Sequence, residues 1–417
     1  MLNINFIREN PEAVKEGIAK KNIDPKFVDR FLRLDEEWRL KTKALDELQR
    51  EQNRLSKELA TNKAEALFSQ AQVLKQRTQH IGEERKKIAA RREEILGKFP
   101  NLPFADVPVG PDESHNVLMR EAGEKPTFDF PALDYLTLAE KLGIIDVVKA
   151  AAVAGSRFGY LFGDAALLEF GLVKLAFETL VPHGFIPVVP PVMIRPEVFR
   201  GMGRLAADQK QERYHLTEDD LYLVGSAEHT LGPIHMDDVL HEETLPRRYV
   251  GFSTCFRREA GSHGKDTKGI LRVHQFDKVE MFSFTAPEQS RREHEFLLGR
   301  QEELMQKLRL PYRVLEICTG DMGWTDAKQY DIEVWLPGQG TYRETHSASN
   351  TTDFQGRGIN VRYKPKKGEI EVAHLLNATA FAIGRTLIAI IENYQTKNGT
   401  IRVPDVLQAF VGKEEIK

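Results

Sequence analysis

Cysteine is scarce in this chain, and its scarcity excludes several kinds of site. Cys255 and Cys318 are the only two among 417 residues, so the sequence provides neither a cysteine zinc cluster nor a disulfide framework. Long apolar runs are missing too, since no segment approaches the roughly 18 residues that a membrane-spanning helix needs. The first 20 residues include Glu9, Glu12 and Glu16 and resemble no leader peptide. We therefore expect a cytoplasmic protein that does not enter a membrane.

Two common nucleotide-binding motifs are also absent. The sequence contains neither G-x-G-x-x-G nor G-x-x-x-x-G-K-[ST], so it indicates neither a Rossmann site nor a P-loop. The net charge of −3 is small but unevenly distributed: residues 1–100 carry 22 Lys+Arg against 17 Asp+Glu, which leaves −8 for the remainder. A mildly basic segment joined to an acidic body is compatible with a nucleic-acid-binding appendage.

The apolar residues of the N-terminal region recur with heptad spacing. One apolar seam begins near residue 29, and a second repeats in sevens after a polar break at residues 61–63; the seam residues are Phe31, Leu34, Trp38, Leu45, Leu48, Leu55, Leu59, then Leu67, Leu74, Ile81, Ile88 and Ile95. This predicts an antiparallel two-helix coiled-coil arm over about residues 29–97, roughly 45 Å long at the α-helical rise. The second helix carries basic residues off its seam, which form either a solvated face or a nucleic-acid surface.

Four prolines between Phe99 and Pro111 end the helical region and mark a linker. We therefore divide the chain into an N-terminal domain, 1–110, and a second domain, 111–417. The second domain combines a helix over Asp164–Leu180, a last helix over Ala378–Tyr394, and several short β-rich runs that mostly adjoin one another. This pattern predicts an α+β fold with an antiparallel β-sheet flanked by helices.

The segment Phe252–Phe284 has the highest density of candidate functional residues. Its pattern predicts a strand, a Gly-rich loop and a second strand. Basic residues on this loop could wrap a polyphosphate or simply form a solvated tip. The segments Phe256–Glu259 and Arg272–Glu280, with the sequences FRRE and RVHQFDKVE, closely resemble motif 2 of the class II seryl-tRNA synthetases. The resemblance implies that Arg257 holds the α-phosphate of ATP and the serine carboxylate, that Glu259 contacts the adenine amino group, and that Phe276 stacks on adenine. It extends the ATP site to Arg258, Arg272 and Val273.

Two further segments match the same family. His183–Pro191 resembles motif 1, which in the family forms part of a homodimer interface, and Asn377–Thr386 resembles motif 3, a helix whose arginine, here Arg385, reaches the γ-phosphate. A single helical arginine is usually a surface residue, so the assignment of Arg385 depends on the order of the three motifs. In this family, the N-terminal helical arm binds the long variable arm of the tRNA.

The resemblance also implies a serine pocket and a metal site. Ser226-Ala227-Glu228 lies where the family has Thr-x-Glu, Glu280 would accept the substrate hydroxyl, and Asn377 and Thr379 complete the serine pocket. Glu344-Thr345-His346-Ser347 matches Glu-x-x-Ser, in which Glu344 and Ser347 would hold Mg²⁺ against the ATP phosphates. Departures from the family occur at Ser226, Ala378, Thr379 and Gly358.

These features together predict a serine–tRNA ligase that forms seryl-adenylate from L-serine and ATP and transfers serine to the 3′ end of tRNA-Ser, with tRNA-Sec left open. ATP and Mg²⁺ are the expected substrate and cofactor. One alternative is an amino acid:carrier-protein ligase paralogue, which the helical arm argues against. The other is a catalytically silent synthetase-like regulator that binds RNA, which the retained motif arginines and metal ligands argue against.

Overall fold

The computed structural model describes residues 1–61, 64–205, 209–260 and 268–417. Asn62 and Lys63 of the predicted polar break, and residues 261–267 of the predicted Gly-rich loop, lie outside these ranges. The chain forms two compact units, residues 2–100 and residues 101–417 together with Met1. Within the described residues, no helix is long and apolar enough to cross a membrane.

The α-helices are α1 Ile4–Glu9, α2 Pro11–Ala19, α3 Lys26–Thr61, α4 Glu65–Leu96, α5 Tyr135–Lys141, α6 Val147–Ala154, α7 Asp164–Leu180, α8 Pro196–Gly201, α9 Glu228–Leu231, α10 Ser290–Lys307, α11 Asp353–Gly358, α12 Ile383–Asn393 and α13 Asp405–Val411. The strands are β1 Val117–Ala122, β2 Ile145–Asp146, β3 Tyr160–Leu161, β4 Phe185–Val188, β5 Met193–Ile194, β6 His215–Leu216, β7 Leu221–Leu223, β8 Val239–His241, β9 Arg247–Phe256, β10 Gln275–Thr285, β11 Tyr312–Glu316, β12 Lys328–Leu336, β13 Thr341–Asn350, β14 Arg362–Lys364, β15 Glu371–Val372, β16 His374–Ala382, β17 Ile401–Arg402 and β18 Glu415–Ile416.

The N-terminal unit is built on the long hairpin of α3 and α4, as the heptad spacing predicts. Lys41 pairs with Glu84 at 2.7 Å, and Asp35 pairs with Arg92 at 2.8 Å. Residues that are later in α3 meet residues that are earlier in α4, so the two helices are antiparallel. Asp35 is fully buried at the base of the hairpin, where Arg8 also donates to it. Burial alone would raise the pKa of Asp35, but the two arginines lower it overall, so the carboxylate stays charged.

The larger unit is organised by a sheet with the strand order β1-β11-β12-β13-β16-β10-β9-β4. Neighbouring strands are antiparallel except for β4, which runs parallel to β9. One face of this sheet packs on α7, α10 and α12 through a continuous apolar core that includes Leu168, Leu297 and Leu387. The predicted α+β fold is confirmed, and α7 has the bounds that the sequence predicts.

The helix predicted over Ala378–Tyr394 is wrong in its first part. Residues up to Ala382 belong to β16, a central strand that pairs with β10 on one side and β13 on the other, and α12 begins only at Ile383. The residues of β16 from Leu375 to Phe381 are all buried, so the strand has no exposed face to distinguish it in the sequence. Such a strand cannot be distinguished from a buried helix by periodicity alone.

Candidate active site

A cavity of about 610 Å³ opens on the sheet face opposite the apolar core. Its floor follows from the two-residue repeat of a strand: Phe276, Lys278 and Glu280 on β10 line the cavity, whereas Val279 and Met281 between and beyond them belong to the core. The β10 segment that resembles motif 2 therefore divides its side chains between the site and the core.

A bulge explains why Glu344 and Ser347 share the cavity although they are three residues apart on β13. The register of β12 and β13 shifts between the pairs Ile332–His346 and Glu333–Glu344, which leaves Thr345 as the extra residue. An even spacing would be needed in a regular strand. The extra residue restores a common face, so the carboxylate of Glu344 and the hydroxyl of Ser347 both line the cavity.

The structure brings most of the predicted site residues to this one cavity. Those lining it are Ser226, Glu228, Arg257, Glu259, Arg272, Val273, Phe276, Glu280, Glu344, Thr345, Ser347, Asn377, Thr379 and Arg385. Three others do not line it. The guanidinium of Arg258 lies 5.7 Å from the ring centroid of Tyr214, and Ala227 is fully buried in a separate apolar cluster. His346 points to the far face of the sheet, where its Nε2 donates to the carbonyl of Ala380 at 2.9 Å.

The deepest part of the cavity holds a small polar network. Lys278 Nζ donates to Glu280 Oε2 at 2.7 Å and to Ser226 Oγ at 3.3 Å, and the Ser226 hydroxyl lies 3.4 Å from the same Glu280 oxygen. Burial raises the pKa of Glu280, and the charge of Lys278 opposes that rise. The neighbouring Asn377 is buried, and its Nδ2 has no hydrogen-bond partner in the described structure. That amide is a donor available to a ligand.

The arginines are held in place by carbonyls, an aromatic ring and carboxylates. Arg257 Nε donates to the carbonyl of Gly225 at 3.0 Å, and its guanidinium lies 5.2 Å from the ring centroid of Phe276. Arg385 Nη1 donates to the carbonyl of Glu344 at 2.8 Å and lies 3.2 Å from its carboxylate. Burial would raise the pKa of Glu344, but the adjacent charge of Arg385 lowers it overall. The positioned guanidinium groups of the cavity therefore suit an anionic polyphosphate.

Several residues of the site lie outside the sequence motifs, so the sequence alone does not identify them. Arg204, Arg213 and Asp326 line the cavity, and Arg204 pairs with Glu228 at 2.6 Å. Arg213 is largely buried, and burial followed by repulsion from Arg257 lowers its pKa to about 10. Asp331 lies beside the predicted metal ligand Glu344, and burial followed by repulsion from Glu344 raises its pKa well above the ordinary value. Only the tertiary fold brings these residues next to the motifs.

Two of the departures from the family pattern have structural explanations. Ala378 lies between Asn377 and Thr379 on β16, so its methyl group faces the apolar core and not the cavity. A Cβ atom at Gly358 would overlap the carbonyl oxygen of Gly201, so the backbone of α8 leaves no room for a side chain there. Neither departure removes a group from the cavity.

Comparisons with known proteins agree with the fold. Residues 212–394 match the family model of the tRNA synthetase class II core domain (G, H, P, S and T), and residues 1–103 match that of the seryl-tRNA synthetase N-terminal domain. The serine–tRNA ligase of Dictyoglomus turgidum is 41% identical, and that of Acidothermus cellulolyticus is 43% identical; each alignment covers 100% of this chain and 99% of the relative. The crystal structure of the Pyrococcus horikoshii seryl-tRNA synthetase complexed with ATP superposes with a TM-score of 0.91 at 39% identity, covering 100% of this chain and 99% of the other.

The antiparallel sheet, its three ordered motifs and the matching core model define a class II aminoacyl-tRNA synthetase. The match of its N-terminal residues to the seryl-tRNA synthetase N-terminal domain identifies one family within this class. This chain belongs to the seryl-tRNA synthetase family, and its activity is that of a serine–tRNA ligase. Its substrates are serine and tRNA-Ser. The carrier-protein ligase and the silent regulator find no support in these relatives.

Proposed function

We propose that the cavity forms seryl-adenylate by in-line attack of the serine carboxylate on the α-phosphate of ATP. The observation that carries this assignment is the convergence of fourteen motif residues on one cavity. Arg257 binds the α-phosphate and the serine carboxylate, and Arg385 binds the γ-phosphate. Both guanidiniums are already positioned by protein acceptors, so they stabilise developing negative charge with little reorganisation.

The adenine end of ATP lies between Phe276 and Glu259 in this proposal. Phe276 supplies an aromatic face, and the Glu259 carboxylate accepts a hydrogen bond from the adenine amino group. Arg272 Nη1 lies 3.6 Å from Oε2 of Glu259, which orients that carboxylate. Val273 and Thr345 line the same cavity as further ATP contacts.

Serine binds at the deep end, where Glu280 accepts its side-chain hydroxyl and Glu228 accepts its ammonium group. Ser226, Asn377 and Thr379 complete the pocket. The unpaired Nδ2 of Asn377 supports this placement, because a bound substrate oxygen would satisfy it. A buried acceptor that must be satisfied by a hydroxyl disfavours alanine, since alanine would leave Glu280 without that partner.

Glu344 and Ser347 are the proposed ligands for Mg²⁺. A carboxylate and a hydroxyl are oxygen donors of the kind that Mg²⁺ prefers, and the bulge at Thr345 turns both toward the cavity. When bound there with ATP, the ion would neutralise part of the phosphate charge.

The N-terminal domain, residues 1–110, is the proposed tRNA-binding domain, and 111–417 is the proposed catalytic domain. The exposed Lys86, Lys87 and Arg91 of α4 offer cations to the backbone of the long variable arm of tRNA-Ser.

A homodimer through motif 1 is also proposed. β4 is the terminal strand of the large sheet as described, and it carries exposed apolar residues. Ile186 is 44% exposed, and Val189, which follows the strand, is 82% exposed. An uncovered apolar edge strand favours association with a second copy. The two free, buried cysteines suit the reducing cytoplasm, which is the proposed compartment.

The experiment that tests the catalytic proposal is formation of seryl-adenylate from serine, ATP and Mg²⁺ without tRNA, followed in a single turnover. We expect a burst of adenylate equal to the concentration of sites. No adenylate from properly folded protein would contradict the proposed chemistry.

A further inference from the structure

Arg204 is a buried cation whose partner is the carboxylate of the Ser-Ala-Glu segment. Its Nε and Nη2 approach Oε1 of Glu228 at 2.8 and 2.6 Å, and the two side chains are 16% and 7% exposed. Burial would raise the pKa of Glu228, but the charge of Arg204, followed by that of Lys278, lowers it overall. The carboxylate is thus held in its charged form by a residue that belongs to none of the three motifs.

The hydrogen bonds to this carboxylate converge on one oxygen. Gln355 Nε2 donates to Oε1 as well, at 3.3 Å. Among the residues that the structure describes, none donates to Oε2. Because Glu228 lines the cavity, Oε2 is the acceptor that remains for a ligand.

We propose that Arg204 is a positioning residue for amino-acid recognition, which acts by holding Oε1 of Glu228 so that Oε2 receives the substrate ammonium group. This inference rests on the proposed function of the cavity. The arrangement parallels that of Lys278 and Glu280: each buried carboxylate has one resident cation and one substrate group to recognise. Two nitrogen atoms of Arg204 contact the same oxygen of Glu228. The guanidinium therefore fixes the orientation of this carboxylate as well as its charge.

This positioning role predicts that replacing Arg204 weakens only the recognition of the substrate ammonium group. Without the guanidinium, Glu228 is free to rotate or to take up a proton, and either change removes an oriented anion from the substrate ammonium. ATP does not contact Glu228 in this proposal, so its binding is unaffected.

The test compares Arg204→Gln and Arg204→Lys with the wild-type enzyme in ATP–pyrophosphate exchange. We expect Arg204→Gln to raise KM for serine by about 10- to 100-fold with less than about 3-fold change in KM for ATP, and Arg204→Lys to recover part of the loss because it keeps a cation. Two inhibitors locate the effect: serinamide, which keeps the ammonium group, should lose affinity in Arg204→Gln, and glyceric acid, which lacks it, should not.

A matched control and a double variant make the outcome specific. Arg248 forms a comparable buried pair with Glu293 at 2.6 Å outside the cavity, so Arg248→Gln should lower Tm without raising KM for serine selectively. In a Glu228→Gln background, Arg204→Gln should add little further loss.

Equal losses for serinamide and glyceric acid, equal rises in both KM values, or full additivity with Glu228→Gln would overturn the positioning role. Absence of serine-dependent exchange in the wild-type enzyme would instead contradict the proposed function itself, so the two failures are distinguishable.

Discussion

Lys278 donates a hydrogen bond of 2.7 Å to Oε2 of Glu280, and the two side chains are only 12% and 1% exposed. The ammonium group opposes the rise in pKa that burial imposes on Glu280. An acceptor oxygen that remains beside the Lys278 contact is what recognition of a substrate hydroxyl requires. The selectivity for serine is therefore expected to depend on this pair.

Replacing Glu280 with alanine tests that expectation. We expect kcat/KM for serine in pyrophosphate exchange to fall by about 1000-fold or more, and that for alanine to change by less than about 10-fold, because only serine uses the carboxylate. Both amino acids are measured with the same preparation. A parallel loss for serine and alanine would show that Glu280 supports the fold or ATP binding and not the hydroxyl.

The adjacent arginines Arg257 and Arg258 have different surroundings, so we expect their replacement to reduce activity by different amounts. Arg257 lines the cavity, whereas the guanidinium of Arg258 lies near Tyr214 outside it. We expect Arg257→Gln to lower kcat/KM for exchange by about 100- to 1000-fold, as loss of one preorganised donor to a transition state does. Arg258→Gln should cost far less. Similar losses in the two variants would contradict the assignment of the phosphate contact to Arg257.

The sequence predicts the motifs well and their surroundings poorly. Glu344 and Ser347 are identifiable from their segment, but the bulge at Thr345 that turns them to one face is visible only in the strand register. The pairing of Arg204 with Glu228 joins two segments that no local pattern connects. The heptads of α3 and α4 identify the arm because both helices repeat one narrow seam. The strand β16 is buried on both faces and continues directly into α12, so the sequence does not indicate where the strand ends and the helix begins.

The metal proposal predicts a specific defect in Glu344→Gln. Loss of a charged oxygen ligand should raise the Mg²⁺ concentration for half-maximal exchange by about 10-fold or more. Glu333→Gln is the matched control, because Glu333 pairs with Glu344 across the ladder but binds Arg313. Exchange should disappear with EDTA and return with Mg²⁺ in the wild-type enzyme. An unchanged Mg²⁺ requirement in Glu344→Gln would remove Glu344 from the metal site.

The arm proposal predicts a defect in charging alone. Replacing Lys86, Lys87 and Arg91 with glutamine should raise KM for tRNA-Ser by about 10-fold at physiological salt and weaken its salt dependence, because fewer phosphates are neutralised. Pyrophosphate exchange should be unchanged. The control triple, Lys364→Gln, Lys366→Gln and Lys367→Gln, removes three exposed cations from the other unit. If the control impairs charging as strongly, total charge and not the arm governs tRNA binding.

Glu169 on α7 predicts a pH-dependent stability. Burial, followed by the neighbouring Asp277, raises the pKa of Glu169 to about 8. The folded state therefore binds a proton more tightly than the unfolded state, so this group costs stability as pH rises from about 4.5 to about 8. We expect Glu169→Gln to raise Tm relative to wild type at pH 8 but not at pH 4.5. Glu178→Gln, an exposed control on the same helix, should show no such trend; a constant Tm difference for Glu169→Gln would contradict the shift.

The most direct test of the central claim is ATP–pyrophosphate exchange with each of the twenty amino acids in separate reactions. The three motifs, the Lys278–Glu280 pair and the serine–tRNA ligase relatives predict strong exchange with serine and at most weak exchange with alanine, glycine and threonine. Exchange that is absent with serine, or stronger with another amino acid, would contradict the account.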